Sequence, residues 1–229
     1  MMTTSRALAA AALTCALGCA QQAEHQSHHP NGQLKQRGML RDGLRHGRWT
    51  TWHDNGERRS EGRFERGQAE GVWTYWHDNG RRRSQGGMAQ GNKNGLWRTW
   101  YASGSPRQEG AYTNGKAMGA HRFWYPNGRP SKTEGYIGCA LHGEQMIWFP
   151  SGQLRSKGRY HKGRREGPWT EWYSSGQRRC AVSFQQGKRR PGATYWTVQG
   201  APLGADAGSC LGQPVKSLNC DESSDPPSP

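Results

Sequence analysis

The chain has 229 residues, of which 32% are hydrophobic and 45 are Gly or Pro (33 and 12), and its formal charge is +15 at pH 7. Such a composition alone would fit a disordered polymer. Eleven tryptophans held at fixed spacing exclude that reading and point to a core made of stacked rings and turn glycines.

Residues 1–19 read as a processing signal. Arg6 is its lone charge, and 7–17 is a run of small or apolar residues too short to span a bilayer. The run ends Ala16-Leu17-Gly18-Cys19, which resembles a bacterial lipobox. The resemblance implies that Cys19 carries a lipid and that Ala20 directs the protein to the outer membrane, facing the periplasm or the surface. Leu17 stands one place nearer the cysteine than that pattern has it. Ordinary cleavage near Gly18 or Ala20 would instead give a secreted or periplasmic protein without an anchor. Both readings export the chain. Residues 20–30, with His25, His28 and His29, read as a polar tether.

From 31 to 200 the chain repeats. Gly32, Gly56, Gly80, Gly104, Gly128, Gly152, Gly176 and Gly200 are each 24 residues apart and bound seven repeats. Counting each boundary Gly as zero, offset 20 is Trp in all seven repeats and offset 17 is Trp in four (Trp49, Trp73, Trp97, Trp169). Offset 8 is apolar throughout, as at Leu40, Phe64 and Tyr136. Asn-Gly pairs such as Asn55-Gly56 predict type I′ hairpin turns, flanked by strands at offsets 17–21 and 2–9. Gly-x-x-x-Gly (Gly67 to Gly71) predicts the loop between them. Each repeat is then a β-hairpin. Seven hairpins make an all-β, elongated, twisted antiparallel array about 70 Å long, at ~4.8 Å per strand. The odd spacing of offsets 17 and 20 leaves two arrangements: aromatics buried on both faces, or a bulge that re-aims one ring.

Gly-x-Trp-x-x-Trp-x-x-Asn-Gly followed by Gly-x-Phe-x-x-Gly resembles the MORN repeat, in the bacterial variant form described as antitoxin-like. The resemblance implies a non-catalytic binding or scaffolding surface. Relatives are associated with protein partners and acidic membrane lipids, and the variant group with polymorphic toxins. An antitoxin or immunity protein that neutralises a toxin is therefore the alternative function. The residues agree in offering no catalysis: the chain has no nucleophile elbow, no P-loop and no metal-spaced Cys/His cluster. No catalytic residue, metal or cofactor is expected.

Two repeats depart from the pattern. Offset 17 is His121 in the fourth and Gln145 in the fifth, where Glu134 and Cys139 also replace glycines. Either the position tolerates drift, or the missing rings open a pocket lined by His121, His142 and Gln145. In the seventh repeat Val182, Pro191 and Ala193 stand at offsets 6, 15 and 17, as befits a terminal cap.

Residues 31–200 hold 30 Lys and Arg against 12 Asp and Glu, a net +18. Offset 3 is Lys35, Arg59, Arg83, Arg107, Arg155 and Arg179, interrupted by Ser131, so stacking predicts a basic ladder with rungs about 10 Å apart. Such a ladder either keeps a Trp-rich sheet soluble or docks an anionic partner. For an exported chain that partner is a protein, an anionic lipid or lipopolysaccharide rather than nucleic acid. Beyond the array, 201–229 is a Cys-containing tail ending in Asp221, Glu222, Asp225 and prolines, expected to be partly disordered. Cys210–Cys220 is the predicted disulfide, because Cys139 and Cys180 sit two repeats apart.

Overall fold

The computed structural model of the chain describes residues 21–204 and 210–211. Cys19 and Cys220 lie outside the described residues. Eighteen strands and no helix occur among the described residues; they form one open antiparallel sheet, in which the long strands pair in sequence order and the short Ala140–Leu141 and Lys188–Arg189 each share a partner strand with the strand that follows. The all-β hairpin array is what the chain folds into.

Its two turns exchange the roles the sequence suggested. At Asn55-Gly56 only Gly56 has positive φ (87°). Gly56 N–H donates to His53 O (3.1 Å) and His53 N–H to Glu57 O (2.8 Å), a three-residue loop whose last member is left-handed. Asn55 is there for its amide: Oδ1 accepts from Glu57 N (3.0 Å), and Nδ2 donates to Asp78 O in the next repeat (2.7 Å). The two-residue type I′ turn falls instead at Arg66-Gly67, where both φ are positive (48° and 80°) and Glu65 faces Gln68. The predicted Gly-x-x-x-Gly loop is therefore mostly strand, Gln68–Trp76. Gly71 marks a bulge within it: Glu61 pairs with Thr74 but Arg63 with Glu70, so three residues oppose Gly62.

That bulge sets which ring enters the core. Trp73 and Tyr75 are buried while Thr74 and Trp76 are half-exposed on the other face. Hence the core column is offset 17, present as Trp in four repeats, and not offset 20, present in all seven. Trp73 lies flat on Gly62, where an added Cβ would come within 2.2 Å of the ring, and its Nε1–H donates to Arg63 O (3.2 Å). Phe64 meets the same ring edge-on at 5.0 Å.

The array also extends beyond 31–200. The predicted tether contains a strand, Gln22–His28, paired with Leu34–Arg41. Its histidines occupy repeat columns. His25 stacks on Trp49 at 5.7 Å, and His29 Nε2 bonds Trp52 O (3.0 Å), as His53 does Trp76 O (3.1 Å). At the other end Pro202–Leu203 pairs with Tyr195 and Trp196. Half-repeats thus cover the first and last full ones.

The core divides in two. Trp49, Phe64, Trp73, Tyr75, Met88 and Trp97 form one cluster. A second runs from Ala117 through Tyr136, Tyr160, Trp169 and Phe184 to Tyr195, and includes Cys139, Cys180 and Cys210.

Candidate functional site

Every basic-ladder position is a β-bulge. Thr51 faces Ser60 and Trp52 faces Arg58, so Arg59 is skipped. The same skip leaves out Lys35, Arg83, Arg107, Arg155 and Arg179. A bulge re-aims its side chain, and here it turns the first three cations toward the core face.

They line a groove of about 670 Å³ over the first three repeats. Lys35, Arg45, Arg59 and Arg83 contribute the charge, and Trp49, Phe64, Trp73, Tyr75 and Met88 the floor. No acidic side chain is among the described residues that line it. Glu61 and Glu109 serve the opposite face instead, paired with Arg48 (2.8 Å) and Arg98 (2.7 Å). Arg45 sits 4.5 Å above the Trp49 ring and 5.2 Å from Phe64. Burial lowers its pKa from the ordinary value, yet a guanidinium stays charged near neutrality. A concave apolar site with a few convergent polar groups has the form of a ligand pocket.

The rest of the ladder is used differently. Arg107 and Arg155 each lie 5.8 Å from a turn ring, Tyr101 and Phe149. Arg179 pairs with the buried Glu171 (3.2 Å). One column in the sequence is therefore three settings in the structure.

The predicted pocket at the irregular repeats is filled. His121 is fully buried on Gly110 and bonds Ala111 O (3.0 Å), the position and partner the Trp rings have elsewhere. Gln145, 2% exposed, donates to Glu134 Oε2 (2.9 Å), and Lys132 pairs with Glu134 (2.7 Å). Glu134 at offset 6 occupies the space left when Gln replaces Trp at offset 17. Val182 and Ala193 make the same exchange in the seventh repeat. His142 lies apart, 5.2 Å from the His161 ring.

The disulfide joins Cys180 to Cys210, with Cα atoms 6.0 Å apart, and not Cys210 to Cys220. Cys139 is also disulfide-bonded. Cys180 points into the core opposite Glu171, and the tail folds back to meet it. The Glu171 carboxylate and the two sulfurs lie within 4.8 Å of one another, but sulfurs bonded to each other offer no thiolate to a metal.

Fold and groove together define a repeat array with one concave, basic, aromatic-lined face. Residues 45–66, 93–114 and 141–162 match the MORN repeat variant, a repeat of scaffold and binding modules rather than of enzymes. No curated protein matches the chain.

Proposed function

We propose that this protein is a non-catalytic binding scaffold of the bacterial cell envelope. It holds an anionic partner, either a protein or an anionic lipid or lipopolysaccharide, in the groove of its first three repeats. The observation that carries this reading is the convergence of Lys35, Arg45 and Arg59 over an aromatic floor, with no acidic side chain among the described residues that line the groove. Cations in a partly desolvated groove bind anions more strongly than cations in water, and arginines add bidentate hydrogen bonds to carboxylate or phosphate. The lipobox-like leader supports the envelope setting.

The test is a pull-down from detergent-solubilised envelopes with three baits: the native chain, K35Q/R59Q/R83Q, and R107Q/R155Q. The groove variant should lose a specific partner at least tenfold while the second variant keeps it. Equal recovery by all three baits would reduce the ladder to a solubility device. A toxin recovered as that partner would make the chain an immunity protein.

A further inference from the structure

We propose that the first strand of the array, Gln22–His28, is a dimer interface whose occupant is the same strand of a second copy, paired antiparallel about a two-fold axis at His25. The proposal rests on the edge of the sheet and not on the reading of the groove.

The free edge is the first support. Gln22–His28 pairs on one side with Leu34–Arg41, and no other described strand pairs with it. Asp42 N–H donates to Gln21 O (2.9 Å), which sets the alternation along the ladder. Ala23, His25 and Ser27 turn their backbone groups to Leu34–Arg41. Gln22, Glu24, Gln26 and His28 each turn one N–H and one C=O the other way. Such a row templates another strand unless Lys, Pro, a bulge or a very short length blunts it. Gln22–His28 is seven residues long, with no Lys and no Pro. The residue skipped in its ladder, Lys35, belongs to the strand behind it.

The other end of the array offers no such template. Its last described strand, Pro202–Leu203, has two residues, one of them without an N–H. Head-to-tail pairing, which would build a fibre, therefore lacks a surface. First strand against first strand is isologous and closes as a dimer.

Self-complementarity then selects the register. With the axis at His25, Gln22 faces His28 of the second copy and Glu24 faces Gln26, so every outward N–H and C=O finds a partner. An axis at Glu24 leaves the His28 groups unpaired and sets two carboxylates directly opposite, which destabilises a sheet. An axis at Gln26 strands the Gln22 groups. Charge favours the same choice. Gln26 is paired with Arg37 on its other side, so the row at His25 runs from Glu24 of one copy toward Arg37 of the other.

An antiparallel two-fold axis stands perpendicular to the sheet, so both core faces lie on one side. The two Leu34–Arg41 strands, each carrying Lys35, are then three strand spacings apart, about 14 Å. The two basic grooves continue into one another, and an extended anionic partner is held at two sites.

The test is sedimentation equilibrium of the full chain in density-matched detergent. The native chain should sediment as a dimer. Gln26→Pro removes one outward N–H from each copy and no bond to Leu34–Arg41, and should weaken the dimer at least tenfold. In the native dimer the amides of Gln22, Glu24, Gln26 and His28 should exchange slowly, and at least tenfold faster after dilution to monomer. His25→Cys is the one position that meets itself, with Cα atoms about 4.5 Å apart, close enough for a disulfide. It should cross-link on mild oxidation where Ala23→Cys does not. A native chain that is monomeric at every concentration overturns the proposal, as does a dimer that Gln26→Pro leaves undiminished. Ala23→Cys cross-linking as readily as His25→Cys overturns the register. Slow exchange of the four amides in a monomer would mean that the edge is covered within one chain, which also removes the interface. K35Q/R59Q/R83Q should still dimerise, so failure of the groove and failure of the edge are read separately.

Discussion

The first three repeats and the last four are built on the same 24-residue register yet present their core faces differently. In the first three, Trp49, Trp73 and Trp97 lie on their glycines, the first two beneath an open groove edged with cations. In the last four, the register is broken at Glu134, Gln145, Val182 and Ala193, and Cys210 is folded onto the face and bonded to Cys180. Regular rungs give a continuous surface on which a ligand can lie. Irregular rungs, each compensated by a partner across the strand, accept a tail. The repeat supplies the scaffold, and departures from it decide which part is displayed.

The sharpest way to break this contrast is Trp73→Ala. It removes the ring that covers Gly62 and supports Phe64, and should cost about 3–5 kcal/mol. Hydrogen exchange should show the loss in repeats one to three, with repeats six and seven unchanged, because stacked repeats couple to their neighbours only. Protection lost evenly along the chain would mean that the two halves unfold as one.

Next in size is Cys210→Ser. The bond closes a 30-residue separation, for which loop entropy gives about 3–4 kcal/mol. Urea unfolding followed by hydrogen exchange should place the weakening in repeats six and seven. Weakening of the Trp49–Trp97 cluster instead would show that the tail supports the whole sheet.

The smallest effect concerns His121. Burial, its largest influence, pushes the imidazole below its ordinary value. The unfolded chain therefore takes up a proton that the folded chain refuses. The contribution of His121 is complete above about pH 6.5, the unperturbed value, and is lost as pH falls below it. His121→Trp puts back the ring used in other repeats and should flatten the fall in melting temperature between pH 7 and pH 5. Parallel pH curves for variant and native chain would place the acid sensitivity elsewhere.

Much of the fold was legible in the residues. The 24-residue glycine period dictates hairpins in series, and the offset-3 cations are a column in any stacked array. Corrections came wherever a local signal had two physical uses. Asn-Gly suits a type I′ turn, but Asn55 is selected for a hydrogen bond to Asp78 in the next repeat. Polar residues with three histidines suit a tether, but His25 and His29 find Trp49 and Trp52 already waiting. Cys210 and Cys220 are close in sequence, but Cys180 faces the returning tail. His121 and Gln145 look like missing rings when read alone, and like filled slots once Gly110 and Glu134 are placed opposite them.

The sequence by itself determined the repeat length, the hairpin, the strand order and the charge of one column, because these follow from spacing and from which residues accept a left-handed turn. Only the tertiary structure decided which tryptophan column is core, which ladder cations share a groove, and where the tail is pinned. Those depend on bulges, which add a residue to one strand and so reverse the faces of all that follow. A bulge is a relation between two strands, and neither strand states it alone.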